Sequence, residues 1–208
     1  MITTLHLIRH GEVEDRYHRV FAGGRVDMEL SPRGHEQARA LAHWLRHHPL
    51  DAVVASPMKR VQQTLAPLHG HFLGPPQVMH GLREVDFGDW TGFGWQEMQD
   101  RFGVSAFDWL DHLEAGAIPN GESAAALRAR VEPCLREVLT SHAGRSVAVF
   151  CHGGIVRMML SILLELPIPK LAAFDIDYGS VTQVKIVPAR GHRTEVHLLN
   201  FAPWRDLK

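Results

Sequence analysis

Three short apolar runs in this chain each break off at cationic or imidazole side chains. The first, Ile2 to Ile8, alternates Thr4, His6 and Ile8 against Leu5 and Leu7 and stops at Arg9-His10-Gly11-Glu12. Its two-residue period predicts a buried strand, and Gly11 permits the sharp turn that must follow. A second run, Ser146 to Cys151, ends on His152-Gly153-Gly154, and a third, Ala52 to Ala55, leads into Ser56-Pro57-Met58-Lys59-Arg60. Open α/β sheets bind ligands beyond the carboxyl ends of their strands, so these three ends point to one shared site.

Between the runs the period lengthens to that of a helix. Ser31 as N-cap and Pro32 in the first turn begin one, with Ala38, Leu41, Ala42 and Leu45 on one face and His47-His48-Pro49 near its end. Arg60 to His69 reads as a second, so the early chain runs β-α-β-α, the order of an α/β fold. Ser123 caps a third through about His142, with Leu127, Val131, Leu135, Val138 and Leu139 on its apolar face. A fourth is expected from Gly154 to Glu165, and strands near Ala173 to Asp177, Val181 to Val187 and Glu195 to Leu199. The polar loop from Val13 to Gly24, with Tyr17 and Phe21, is expected to border the site.

Residues 86–119 break the alternation and hold seven of the 16 aromatic residues (5 Trp, 2 Tyr, 9 Phe): Phe87, Trp90, Phe93, Trp95, Phe102, Phe107 and Trp109. They read as a small inserted cap, at about 86–122, within a single domain spanning 1–208. Such large side chains serve a subdomain's own core, or line an apolar vestibule over the site, Phe93 and Trp95 especially.

Composition narrows the partners. With 45% hydrophobic and 22% charged residues the chain is an ordinary globular one, and its formal charge of −1 offers no basic face to nucleic acid or membrane. Anion specificity must therefore be local. No apolar run reaches membrane-spanning length, and a cytoplasmic protein is expected. Two cysteines, Cys134 and Cys151, make no disulfide framework. Adjacent strand residues point to opposite faces, so Cys151 reads as a small buried thiol and not as a nucleophile activated by His152.

Four motifs share an order and spacing with a known family. Arg9-His10-Gly11, the Ser-Pro-x-x-Arg of Ser56 to Arg60, Leu82-Arg83-Glu84 and His152-Gly153-Gly154 resemble the histidine phosphatase (phosphoglycerate mutase-like) superfamily. Asp27-x-x-Leu30-Ser31-x-x-Gly34, Gln63-Thr64, Phe87-Gly88-Asp89-Trp90, Gly121-Glu122-Ser123 and Gly179-Ser180-Val181-Thr182 agree with it, and the likeness runs from about residue 2 to about residue 200. It implies a three-layer α/β/α fold with a mostly parallel central sheet and a small inserted cap, and a phosphohistidine intermediate at His10.

The residue types suit that chemistry. Phosphoryl transfer needs positioning, charge neutralisation, a nucleophile and a proton donor. A nucleophilic imidazole must be neutral, and the cations Arg9 and Arg60 disfavour protonation of His10. Their planar guanidinium forks match phosphate oxygens. His152, followed by Gly153-Gly154 and a helix, is expected to complete the pocket and to aim backbone N–H groups at the same anion. Glu84, where the family has its acid, is the candidate general acid and base, a role that calls for a raised pKa. No cofactor and no metal are expected: His43 with His47, and His69 with His71, lack a third ligand at a recognisable spacing.

The branch follows from what is missing. Phosphoglycerate mutases place a lysine shortly after Thr-Gly and an arginine pair after a tryptophan. Here Trp95 follows Thr91-Gly92, and Leu110-Asp111 follows Trp109. Val13 and Arg16 stand where mutases favour serine or threonine and asparagine. The chain therefore resembles the α-ribazole phosphatase-like and broad-specificity branch, although Thr91 replaces an acidic residue common in the ribazole type. His152-Gly153, where the acid phosphatase and phytase branch has His-Asp, sets it apart from that branch. The expected partner is a small-molecule phosphate ester, with Arg16, Phe21, Phe93 and Trp95 as candidate specificity residues. The alternatives are a cofactor-dependent mutase and a non-catalytic phosphoryl-binding protein.

Overall fold

The computed structural model describes residues 1–72, 74–105, 108–188 and 193–207. Strand β1 (Thr3–Arg9) is the first apolar run, with Leu5 and Leu7 packed on one face of the sheet and Ile8 on the other. Helix α1 (Pro32–Leu45) starts where Ser31 Oγ accepts the Gly34 N–H, beside a proline that has no donor to satisfy. Strand β2 (Ala52–Ala55), helix α2 (Lys59–Leu65) and the short strand β3 (Gln77–Val78) follow. Next come α3 (Trp95–Phe102), α4 (Trp109–Glu114) and α5 (Ala124–Ser141), the last capped by Ser123 Oγ at the Ala126 N–H. The chain closes with β4 (Ser146–Cys151), α6 (Gly153–Leu164), β5 (Val181–Val187), β6 (Arg193–Phe201) and α7 (Pro203–Asp206).

The strands form one sheet in the order β3-β2-β4-β1-β5-β6, parallel from β3 to β1 and antiparallel at β5 and β6. Leu41, Leu45, Val61 and Leu65 of α1 and α2 cover one face, and Leu127, Val131, Ile155 and Met159 of α5 and α6 cover the other. This is a three-layer α/β/α arrangement with a mostly parallel sheet. Trp90, Met98, Leu110 and Leu113, from the aromatic-rich segment, join the same apolar cluster as Leu5 and Val149, so these side chains extend the main core. Phe107 lies outside the described residues. No described helix is long and apolar enough to cross a membrane.

Register brings the strand ends level. Ile8 and Ala55 both pair with Phe150, Arg9 pairs with Cys151, and the His10 N–H donates to the Cys151 carbonyl across 3.1 Å. Arg9-His10, Ser56 and His152 are thereby fixed side by side at the carboxyl ends of the parallel strands.

Two local expectations need correction, and one strand was not foreseen. Residues 173–177 are not a strand: a 3₁₀ helix occupies Ile168–Ala173, and β5 already fills the place beside β1. The carbonyls that a strand would pair serve arginines instead, Phe174 O accepting from Arg157 and Ile176 O from Arg9. Helix α2 ends at Leu65, because Pro67 cannot continue it, and a 3₁₀ turn spans Ala66–Leu68. Strand β3 has two residues, too few to show a period.

Candidate active site

His10 leaves the end of β1 almost fully buried, and its two ring nitrogens have different partners. Nδ1 lies 2.7 Å from the Gly11 carbonyl, which can only accept, so Nδ1 carries the proton. Nε2 receives the Arg60 Nε–H at 3.1 Å and so presents a lone pair. The His10 pKa is held well below the usual histidine value, chiefly by burial and then by the charges of Arg60 and Arg9. The direction matches the sequence argument, but burial outweighs the cations.

Arg60 comes from the first turn of α2 and is 1% exposed. Besides His10, it donates from Nη1 to the Val26 carbonyl and from Nη2 to the Gly23 carbonyl, both at 3.1 Å. Gly23 has a φ of +54°, and a β-carbon there would meet the Val85 carbonyl at 2.4 Å, so glycine alone lets the loop come this close. Burial pushes the Arg60 pKa down to about 10, which leaves it charged at neutral pH. Arg9 is fixed differently: Nη1 donates to the Ile176 carbonyl at 2.6 Å, and the guanidinium lies over the Tyr178 ring at 3.9 Å. Its Nε is buried without a protein partner among the described residues.

His152 is fully buried at the N-cap of α6. Its Nε2 lies 2.9 Å from Ser56 Oγ, and its ring meets that of His10 edge-on, with centroids 5.2 Å apart. Burial, then Arg60, then His10 hold its pKa well below the usual value.

Glu84 faces these groups from the loop after a 3₁₀ turn at His80–Leu82. One carboxylate oxygen accepts the Val85 N–H at 3.0 Å and the other the Gly154 N–H at 3.3 Å. The Gly154 donor, expected to face the anion, is thus given to the carboxylate, while Gly153 lines the cavity. A β-carbon at Gly154 would lie 2.5 Å from Glu84 Oε1, so the close approach requires glycine. From behind, Arg130 of α5 grips this loop: it donates to the carbonyls of Gly81, Arg83 and Glu84 and pairs through Nε (2.6 Å) and Nη2 (2.8 Å) with the carboxylate of Glu122. All five guanidinium donors are used.

A cavity of about 370 Å³ opens over Arg9, His10, Arg60 and Glu84, with Phe21, Trp95 and Trp109 on its apolar side. Two expected specificity residues lie elsewhere. Arg16 does not line the cavity; it is 68% exposed, pairs with Glu14 at 2.8 Å and stacks on Tyr17. Phe93 packs on Phe102 and under Arg101. In exchange, the cavity has Trp109, one of the cap aromatics, in its wall, together with Tyr178 and Arg157, neither of them foreseen. Arg157 was legible in one respect, since it stands four residues after Gly153 and so on the same helix face.

Cys151 is fully buried with its thiol pKa pushed up by burial, the inert thiol expected of it. Among the described residues one trio, Glu12, Asp15 and His18, brings potential metal-ligand atoms within 4.8 Å of one another. Glu12 there accepts from Ser31, and His18 Nε2 donates to the Val13 carbonyl.

Known proteins share this sequence pattern and this fold. A putative phosphoserine phosphatase of Hydrogenobacter thermophilus is 27% identical over 197 residues, covering 94% of each chain. The adenosylcobalamin/alpha-ribazole phosphatase of Salmonella typhimurium is also 27% identical, over 97% of this chain and 98% of that one. Among solved structures, mycobacterial glucosyl-3-phosphoglycerate phosphatase superposes with a TM-score of 0.85 at 25% identity, covering 97% of this chain and all (100%) of that one. The family model of the histidine phosphatase superfamily (branch 1) matches residues 5–201, and the chain belongs to that superfamily.

Proposed function

We propose that this enzyme hydrolyses a small-molecule phosphate monoester through a phosphohistidine on His10. The observation that carries the reading is the lone pair on His10 Nε2, held neutral by burial and bordered by two guanidinium groups. In the first step Nε2 attacks phosphorus, the P–O ester bond breaks with its electron pair going to the alcohol oxygen, and Glu84 delivers a proton to that oxygen. In the second, Glu84 takes a proton from water as its oxygen attacks phosphorus, and the P–N bond breaks, returning the lone pair to Nε2. Arg9 and Arg60 neutralise the equatorial oxygens throughout, and His152, fully buried, packs edge-on behind the His10 ring. This sequence of steps needs no metal or cofactor.

The apolar side formed by Phe21, Trp95 and Trp109 supports a leaving group with an apolar portion. The test is phosphate release in the presence of a chelator from p-nitrophenyl phosphate, ribazole phosphate, sugar phosphates and 3-phosphoglycerate, with mutase activity assayed in parallel. Release without isomerisation is expected. Isomerisation would assign a mutase instead, and phosphate binding without turnover a phosphoryl-binding protein.

A further inference from the structure

We infer that Thr64 is a positioning residue for the nucleophile: it holds the Gly11 peptide in the orientation that keeps the His10 proton on Nδ1 and leaves the lone pair on Nε2. The inference rests on the phosphatase reading above. Thr64 is fully buried in α2 and does not line the cavity, so it touches no reacting atom. Four hydrogen bonds nevertheless tie it to His10 in a closed ring. Arg60 Nε donates to His10 Nε2 at 3.1 Å, His10 Nδ1 to the Gly11 carbonyl at 2.7 Å, the Gly11 N–H to Thr64 Oγ1 at 2.9 Å, and the Thr64 hydroxyl to the Arg60 carbonyl at 2.7 Å.

The directions in this ring are forced. A peptide N–H can only donate, so Thr64 Oγ1 accepts at Gly11 and sends its own proton to a carbonyl that can only accept. Each member donates once and accepts once, and reversing any of them strips a buried group of its partner. A proton moved from Nδ1 to Nε2 would face the Arg60 N–H, and the lone pair left on Nδ1 would face the Gly11 carbonyl. The Gly11 peptide is itself wedged. A β-carbon on Gly11 would lie 2.6 Å from the Gly34 carbonyl in the first turn of α1, while Thr64 takes the Gly11 N–H from the side of α2.

In the proposed reaction only the link on Nε2 opens, and the other three remain. With phosphorus on Nε2 and the proton still on Nδ1 the imidazole is cationic, a state that burial, Arg60 and Arg9 oppose and the Gly11 carbonyl favours. Hydrogen bonds in series polarise one another, so a hydroxyl accepting the Gly11 N–H makes the Gly11 carbonyl a better acceptor for Nδ1. Thr64 therefore acts on the nucleophile through one peptide group.

The experiment compares Thr64→Val, which keeps the shape and removes the hydroxyl, with Thr64→Ser, which keeps the hydroxyl. For p-nitrophenyl phosphate, kcat is expected to fall by about tenfold or more in Thr64→Val with KM little changed, and to stay near the wild-type value in Thr64→Ser. Nitrogen NMR on protein carrying isotope-labelled histidine, with His10 assigned by its loss in His10→Gln, reads the tautomer without any turnover. The wild type and Thr64→Ser should show one protonated and one unprotonated ring nitrogen, and Thr64→Val should draw the two signals toward each other as the tautomers mix. Thr64→Ala takes the place of Thr64→Val if the latter does not melt cooperatively. His10 signals that stay at their wild-type positions without the hydroxyl overturn the inference, whether kcat falls or not, and so does a kcat that does not fall in an active enzyme. Wild-type turnover judges the phosphatase reading separately: an inactive wild type whose His10 signals still respond to the loss of the hydroxyl removes hydrolysis alone.

Discussion

Arg60 Nε donates to His10 Nε2 across 3.1 Å, so the cation that borders the candidate nucleophile also marks which of its nitrogens is free of a proton. A guanidinium cannot accept, and the contact is compatible only with an unprotonated Nε2. In the proposed mechanism phosphoryl transfer replaces this hydrogen bond with a P–N bond, and Arg60 keeps its remaining donors for the phosphoryl oxygens. Two consequences can be measured.

Replacing His10 with alanine is expected to lower kcat by about 1000-fold or more and to abolish an acid-labile phosphoenzyme trapped with labelled substrate. Appreciable turnover in that variant would place the nucleophile elsewhere. Because the His10 pKa lies well below the usual histidine value, the unprotonated form persists as the pH falls through 6. The acidic limb of kcat/KM should therefore show no titration of His10 near 6.5; a His10 titration found there would contradict this assignment.

Glu84→Gln is expected to slow hydrolysis by about 100-fold or more for alkyl phosphates and far less for p-nitrophenyl phosphate, whose leaving group needs little protonation. Rates measured across a series of leaving-group pKa values check this. A uniform loss would argue against the acid role.

Acid should destabilise the fold through its buried imidazoles. His6 is 2% exposed, and burial, then the nearby His48, bring its pKa down to about 4. The unfolded chain takes up this proton near pH 6.5 and the folded chain only near 4, so stability falls as the pH drops through that window. The span corresponds to about 3 kcal/mol for His6. Urea midpoints measured from pH 7 to 4 should fall, and His6→Gln should flatten the dependence.

Arg130→Gln removes three carbonyl contacts and leaves Glu122 without its cation. A loss of about 2–4 kcal/mol is expected. Thermal melting reports the loss, and Glu122→Gln should lose little more when made in the Arg130→Gln background, because the two side chains act as one clamp.

Trp95→Ala and Trp109→Ala should change the ranking of substrates more than the turnover of p-nitrophenyl phosphate. A panel of kcat/KM values for phosphates with apolar and polar leaving groups tests this. Equal losses on every substrate would mean that these indoles support the fold and do not select the ligand.

Much of this organisation was legible before any coordinates. The run from Ile2 to Ile8, the serines that cap α1 and α5, and the histidines at two strand ends are local signals, each carried by a few neighbouring residues. What escaped depends on distant segments. The stretch from Phe174 to Tyr178 has strand-like composition, but its carbonyls are claimed by Arg9 and Arg157 from elsewhere in the chain. Arg157 itself reads as an ordinary helix residue until the cavity it lines is known. Phe93 and Trp95 are two positions apart, yet only Trp95 reaches the cavity, a distinction that the packing of Phe93 on Phe102 makes and no periodicity announces.

The anchoring of Arg60 by the carbonyls of Gly23 and Val26 separates the walls of the cavity into two kinds. The loop that contributes Phe21 is hydrogen-bonded to Arg60, so on the proposed reading a redesign of residues 20–28 for a new substrate disturbs phosphate affinity as well. Trp109 instead rests against Phe87, with ring centroids 5.4 Å apart, and Phe87 in turn against Phe21 at 5.0 Å. A change at Trp109 therefore reaches the Arg60 anchor only through a chain of packed rings, whereas a change in the loop acts on it through hydrogen bonds.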